Sequence, residues 1–357
     1  MLFYVFTTGK CNLRCKYCSG SFPQNLVPWE VKYNIKDLIS FLEQDDDLVV
    51  AFYGGEPLLN PGIIREIMDR VNAKHFVIQT NGLLVKQLPI EYWRRFDTIL
   101  LSIDGIREVT DYYRGAGVYD RVIEAAKYLR SIGAKADLVA RMTVSEKGSI
   151  YRDVTHLLSL NLFDHVHWQL DVVWSDRWKN FDKWVLEDYL PGLDKLVKLW
   201  IDKLEKGVVL GIAPFLGIAK AMLFDEFIFP PCGSGSKAFA VSTDGSILAC
   251  PIAVDVEWAR IGHIKDFKPR DLEGALRIGK PCVDCRIFKY CGGRCLYAYY
   301  ERLWGEEGFR KICTITKFLV DNLLKFKNKI IRLLEDKKIN RELLYYPPFL
   351  NTIEVIP

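Results

Sequence analysis

All ten cysteines of this 357-residue chain fall into two groups whose spacing suits metal–sulfur chemistry. Cys11, Cys15 and Cys18 form C-x3-C-x2-C within CNLRCKYC, directly after the apolar run LFYVF. A 4Fe-4S cube takes about four thiolates, one per iron, so a trio this close leaves one iron exposed to bind something else. The remaining cysteines are Cys232, Cys250, Cys282, Cys285, Cys291, Cys295 and Cys313. With Gly245 they read C-x12-G-x4-C, a gap, C-x2-C-x5-C-x3-C, a gap, C. Structural zinc and disulfides are the competing readings. The N-terminus lacks the charged and long apolar regions of a secretory signal, which weighs against disulfides. Zinc fits the later cysteines taken alone, but it does not account for a C-x3-C-x2-C followed by Gly54, Gly55, Glu56 and Pro57.

Chemistry of this kind needs a scaffold, and the first half of the chain alternates strand-like with helix-like segments, the pattern of a parallel α/β fold. The spacing predicts strands over Leu2 to Thr7, Leu48 to Tyr53, His75 to Thr80, Thr98 to Ile103, Ala136 to Thr143 and His165 to Val172. It predicts helices over Pro61 to Val71, with Asn60 as cap and Pro61 at the first position, and over Val118 to Ser131. A further helix is expected over Asp176 to Lys206, interrupted at Pro191-Gly192. Gly211 to Pro231, with Phe215, Phe224, Phe227 and Phe229, reads as an apolar connector. An apolar stripe from Ile315 through Phe318, Leu319, Leu323, Phe326 and Ile330 to Leu333 predicts a packing helix with a solvated, lysine-bearing face. The expected division is 1–215, a connector at 216–231, a cysteine-rich module at 232–315, and a C-terminal helix and tail at 316–357.

Polar motifs close the predicted strands. Gly54-Gly55-Glu56-Pro57 follows the second; glycine lets backbone approach a ligand closely, and a carboxylate can accept hydrogen bonds from an ammonium group. Gln79 and Asn81 close the third. Ser102 and Asp104 close the fourth and share a face by strand alternation. Arg141 and Thr143 share a face of the fifth; Arg141 suits either a ligand carboxylate or an internal salt bridge. On the sixth, His165, His167, Gln169 and Asp171 alternate with apolar residues. A strand covered by helices turns its apolar side outward, which makes His167, Gln169 and Asp171 candidates for substrate contact; the other reading is an exposed edge strand. His75, His156 and His263 show no ligand grouping.

The C-x3-C-x2-C, the GGEP that comes after it and the seven later cysteines resemble the radical S-adenosylmethionine (SAM) enzymes that carry a SPASM domain. The resemblance implies a partial (β/α)6 barrel, an α/β fold, followed by a small module with two auxiliary clusters, hence three 4Fe-4S clusters in all. It implies that the vacant iron chelates the amino and carboxylate groups of SAM, with Tyr17 beside the adenine, Gly54, Gly55 and Glu56 on the amino group, and Gln79, Asn81, Ser102, Asp104 and Arg141 as further cofactor contacts. Cys232, Cys250 and Cys295 would hold the near auxiliary cluster, and Cys282, Cys285, Cys291 and Cys313 the distal one. Fully ligated relatives add an eighth cysteine shortly after the first, where this chain has Gly233, Ser234, Gly235, Ser236 and Lys237. The near cluster then has either an iron open to a substrate donor or a ligand such as water, Ser234, Ser236 or Asp244.

The resemblance further implies reductive cleavage of SAM to a 5′-deoxyadenosyl radical and oxidation or cross-linking of a peptide or small-protein substrate. An electron donor such as a ferredoxin or flavodoxin is an implied partner. The first strand begins at residue 2, so no N-terminal cobalamin domain or winged helix is expected, and a separate peptide-recognition protein becomes an expected partner. Pro251 stands where anaerobic sulfatase maturases place an aspartate, and no cysteine is spare for the hydrogen donation of an epimerase. Oxidation of a small molecule and a noncatalytic electron-transfer role are the alternatives. A net charge of +4 with acids and bases nearly balanced gives no footprint for nucleic acid. No apolar run reaches the roughly 18 residues of a membrane span, and the expected location is cytoplasmic.

Overall fold

A computed structural model describes residues 1–18, 20–172, 178–226, 230–347, 349 and 351–352. Six parallel strands succeed one another in chain order: β1 (Leu2–Thr8), β2 (Val49–Gly54), β3 (His75–Thr80), β4 (Thr98–Ser102), β5 (Asp137–Val144) and β6 (His165–Leu170). Each differs from its expected bounds by no more than two residues at either end. Consecutive strands are neighbours because each returns through a crossover, and their faces are filled by Val, Ile, Leu and Phe at near-zero exposure. Parallel order also places the six C-terminal strand ends on one side, which is where such barrels build their sites.

The cysteine-rich module continues this sheet. β7 (Ala238–Val241) pairs parallel with β1 on the side away from β2, and β8 (Ser246–Leu248) and β9 (Arg260–His263) are added antiparallel, giving the order β6-β5-β4-β3-β2-β1-β7-β8-β9. Phe239 of β7 lies 6.4 Å from Phe3 of β1. The segment 28–32 stitches the two parts further: the Lys32 amide donates to the Thr243 carbonyl at 2.7 Å and the Thr243 hydroxyl to the Pro28 carbonyl at 2.6 Å.

Several local expectations are corrected. The segment expected as a connector holds a helix, Ala213–Leu223, which crosses the 215/216 boundary; its Phe215 packs edge-on to Trp168 and Trp200. Phe227 and Phe229 lie outside the described residues, as does the expected helix start at Asp176. Helical structure there runs from Phe181 to Glu205, with a wider π-turn at Val185–Tyr189 immediately before Leu190–Glu205. Pro191 has no N–H for the regular ladder, so the helix adjusts there rather than breaking. Asn60 stands at the N-cap position of the helix Pro61–Arg70 but makes no side-chain capping bond; its side-chain Nδ2 donates instead to the Thr7 carbonyl at 3.0 Å. The C-terminal stripe is shared by two helices, Gly305–Leu324 and Lys327–Glu335, and the first crosses the 315/316 boundary with Cys313 in its midst. No helix among the described residues is long and apolar enough to cross a membrane.

The far end of the barrel is closed by the C-terminal tail. His165 on β6 contacts Asp137 at 2.7 Å, and Tyr346 sits edge-on to the His165 ring at 4.9 Å. Phe349 stacks on His75 at 3.8 Å. His75 and His165 are thus structural at this floor.

Because β7 covers the edge of β1, a chain ending at Pro231 would expose that edge together with Phe3. Such a truncation is expected to aggregate on expression. A soluble 1–231 fragment with cooperative urea unfolding would contradict this.

Candidate active site

A cavity of about 560 Å³ opens where the six strands end. Cys11, Cys15 and Cys18 line it, together with Tyr17, Gly54, Gly55, Glu56, Gln79, Asn81, Ser102, Arg141, Gln169 and Asp171. Sequence candidates from all six strand ends therefore meet in one space. The cysteine loop is held by backbone rather than by packing: the Cys11 amide donates to the Ser21 hydroxyl at 2.9 Å, and the Leu13 and Gly20 amides donate to the Cys11 and Cys18 sulfurs, both at 3.4 Å. Gly54 and Gly55 admit this loop. A Cβ on Gly55 would stand 2.2 Å from the Lys10 carbonyl oxygen, and Gly54, at φ +139°, would place one 2.3 Å from the Thr8 carbonyl oxygen.

Glu56 is fully buried beneath the glycines and accepts from the Thr80 hydroxyl at 2.6 Å, the Asn81 amide at 2.8 Å and the Leu58 amide at 3.0 Å. Burial raises its pKa to about 7 against the opposing pull of those donors. Asn81 also reaches the cysteine loop, donating to Asn12 at 2.7 Å. The three thiols suit a cluster: burial pushes Cys11 up to about 11 and raises Cys15, so both call for a cationic partner before they ionise.

Asp104 takes a different place from the one expected. β4 ends at Ser102, and the chain then leaves the strand, so Asp104 does not line the cavity. Its carboxylate accepts the Tyr17 hydroxyl at 2.7 Å, the Thr143 amide at 2.9 Å and both arms of the Arg114 fork at 2.8 Å. Arg114, which does line the cavity, went unnoticed in the sequence; nothing in its spacing marks it. Burial opposes its charge, but Asp104 holds it on. Removing one partner of such a buried pair typically costs about 3–5 kcal/mol.

The polar row of β6 faces the lumen and divides by depth. Gln169 and Asp171 reach the cavity; Gln169 accepts from Arg141, and Asp171 accepts from the Ser145 hydroxyl at 3.0 Å. Arg141 thus joins β5 to β6 across the lumen through Gln169. His167 lies deeper, fully buried and away from the cavity lining, with neither ring nitrogen hydrogen-bonded. Burial, and then the Arg141 charge, keep it neutral by lowering its pKa well below the usual range. β6 is the sheet's terminal strand, yet Val166 bridges to Ile212 and the helix Ala213–Leu223 packs beside it, so the edge is covered.

The later thiols gather separately. Cys282, Cys285, Cys291 and Cys313 line a second cavity of about 370 Å³, which Cys295 also borders. Cys250 and Cys295 share a small buried cluster with Tyr297, and the Cys232 thiol donates to the Ser234 hydroxyl at 3.2 Å. Burial pushes Cys282 and Cys291 up to about 11. Among the described residues, no three His, Cys, Asp or Glu side chains stand close enough to hold a single metal ion. Asp244 is engaged by the Ser246 amide at 3.0 Å. Ile252, Val254 and Asp255, just beyond Cys250, form part of the wall of the first cavity.

A family model described as the Radical SAM superfamily matches residues 5–158, the segment that builds this cavity's first five strands. Residues 5–158 form a radical SAM domain. Curated relatives include the cysteine-type anaerobic sulfatase-maturating enzyme of Clostridium novyi, 24% identical over 81% of this chain and 85% of the relative. An uncharacterized Methanocaldococcus jannaschii protein, MJ0907, is 33% identical over 115 residues; the match covers 30% of this chain and 39% of the relative's length. Among solved structures, native anSMEcpe with bound AdoMet and Cp18Cys peptide superposes with a TM-score of 0.70 at 18% identity, covering 94% of this chain and 99% of that one. That likeness shows the fold alone; the radical SAM domain implies a 4Fe-4S cluster and SAM.

Gly55→Ala is expected to displace the cysteine loop and lower the iron bound after anaerobic reconstitution by about four atoms per chain, one cube. Undiminished iron would show that the loop does not depend on this close approach.

Proposed function

We propose that this radical SAM enzyme oxidises or cross-links a side chain of a peptide or small protein, using three 4Fe-4S clusters. When bound, the first cluster and SAM supply a 5′-deoxyadenosyl radical that abstracts hydrogen from the substrate. The observation that carries the reading is the shared wall: Ile252, Val254 and Asp255 of the cysteine-rich module line the same cavity as Cys11, Cys15 and Cys18. A substrate in that cavity touches both parts of the chain. The peptide in the anSMEcpe structure and the maturase name of the Clostridium relative support a peptide substrate. Pro251, next to Cys250, weighs against the sulfatase-maturase reaction itself.

In this reading Cys11, Cys15 and Cys18 hold the first cluster. Tyr17 flanks the adenine, Gly54, Gly55 and Glu56 receive the cofactor's ammonium, and Gln79, Asn81, Ser102 and Arg141 complete its surroundings. Gln169 and Asp171 orient the substrate, while His167 supports them from beneath as a neutral group. Cys232, Cys250 and Cys295 hold the near cluster, and Cys282, Cys285, Cys291 and Cys313 the distal one, as a SPASM module from about residue 232 to 315. The near cluster has three thiolates and a place for a substrate donor; Ser234, buried beside Cys232, is the protein group best placed to compete for it. A small ferredoxin or flavodoxin supplies electrons in the cytoplasm, and a separate protein delivers the peptide.

Reconstituted protein is expected to hold about twelve irons. Joint replacement of Cys11, Cys15 and Cys18 by alanine should remove about four and abolish 5′-deoxyadenosine formation; stoichiometric zinc would overturn the reading. Asp171→Asn should lower peptide turnover more than substrate-free SAM cleavage, and an equal loss of both would remove Asp171 from the substrate site.

Glu56 gives a pH signature. Its pKa is raised to about 7, so it is protonated below that pH and must lose the proton to receive an ammonium group. SAM affinity, measured by calorimetry on the reconstituted protein, should rise between about pH 5.5 and 7.5, approaching tenfold per unit below the pKa. Glu56→Gln should bind more weakly and without this slope; a flat wild-type profile would contradict the role.

A further inference from the structure

A buried cation beside the cysteine loop, Arg114, has no role in the reading above. Arg114 ends the helix Arg107–Arg114 and is 8% exposed. The carbonyl of its neighbour Tyr113 accepts the amide of Lys16, itself the neighbour of Cys15, at 2.8 Å, so the two chain segments are joined beside the first cluster's ligands. The guanidinium lies 5.4 Å from the Tyr17 ring centroid. Asp104 is behind it: each carboxylate oxygen accepts one Arg114 N–H and one further donor, Thr143 N or Tyr17 OH, which leaves that carboxylate well satisfied. Arg114 lines the cavity that the three thiols also line and Asp104 does not, so the pair is a fixed dipole with its positive end on the cavity side. Of the five guanidinium N–H groups, two go to Asp104, and the rest have no acceptor among the described residues.

We propose that Arg114 is the positioning residue of the cysteine loop and the fixed positive charge that sets how readily the cluster on Cys11, Cys15 and Cys18 accepts an electron. The inference rests on the reading that those three thiolates hold a cluster. Reduction adds one negative charge to the cluster. A cation that cannot deprotonate favours that charge, and N–H donors facing cluster sulfurs act in the same direction. Asp104 moderates the effect from the far side and, through Tyr17, ties the charge to the loop that carries the ligands.

The test is a redox titration of the full reconstituted chain with dithionite and mediators. Paramagnetic resonance tracks the signal that SAM perturbs, which separates this cluster from the others. Arg114→Gln should make the cluster about tenfold harder to reduce at a fixed potential, equivalent to about 59 mV for a one-electron couple. Asp104→Asn, which leaves the guanidinium without its counter-charge, should shift the potential in the opposite direction. Arg114→Lys should restore most of the potential. Shifts of the same sign in Arg114→Gln and Asp104→Asn, or no shift with iron content unchanged, would overturn the proposal. If Arg114→Gln fails to load iron, Asp104→Asn decides, and the absence of an upward shift overturns it. A wild-type protein with no SAM-sensitive cluster would instead refute the underlying reading.

Discussion

Burying negative charge is the constraint that organises this molecule. Carboxylates and thiolates removed from water are unstable until something positive or donating faces them. The chain meets this demand in three ways within one region. Glu56 receives three hydrogen-bond donors from the ends of β2 and β3. Asp104 receives Arg114, Tyr17 and a backbone amide. Cys11 and Cys15, raised by burial, find no comparable set of donors among the described residues, and iron is the natural complement to such thiols. Cluster binding on these cysteines would therefore release protons and tie the loop's order to metal occupancy.

The sheet turns that local demand into geometry shared by two parts of the chain. β1 delivers the first cysteine loop at its C-terminal end and hydrogen-bonds on its other side to β7, whose antiparallel neighbour β8 ends two residues before Cys250. Only β7 lies between β1 and β8 in the sheet, and the 28–32 segment is hydrogen-bonded to Thr243 just after β7. The first cavity is walled by both parts of the chain, so the position of a substrate relative to each cysteine group is set by sheet register rather than by a flexible linker.

Features legible in the sequence were those that depend on local pattern. Parallel strands covered on both faces show as apolar runs, and the polar motif closing each run marks where the strand leaves the core. Cysteine spacing carried the same kind of local signal. Features that depend on contacts between distant segments were hidden. Asp104 was expected to share the face of Ser102, but alternation holds only while the strand continues, and β4 stops at Ser102. Arg114 has no motif; its meaning comes from a carboxylate ten residues back and a tyrosine on another loop. His167 obeys the alternation but sits too deep to line the cavity, since alternation gives face and not depth. The helix Ala213–Leu223 and the aromatic tail beneath His75 and His165 are recruited by surfaces that only the closed barrel presents.

The most direct test of the account is Mössbauer spectroscopy of the chain reconstituted with iron-57, recorded with and without SAM. Three cubes with one SAM-binding iron predict that about one iron in twelve changes its signal on adding the cofactor while the rest are unmoved. A spectrum insensitive to SAM, or iron sufficient for only one cube, would contradict it.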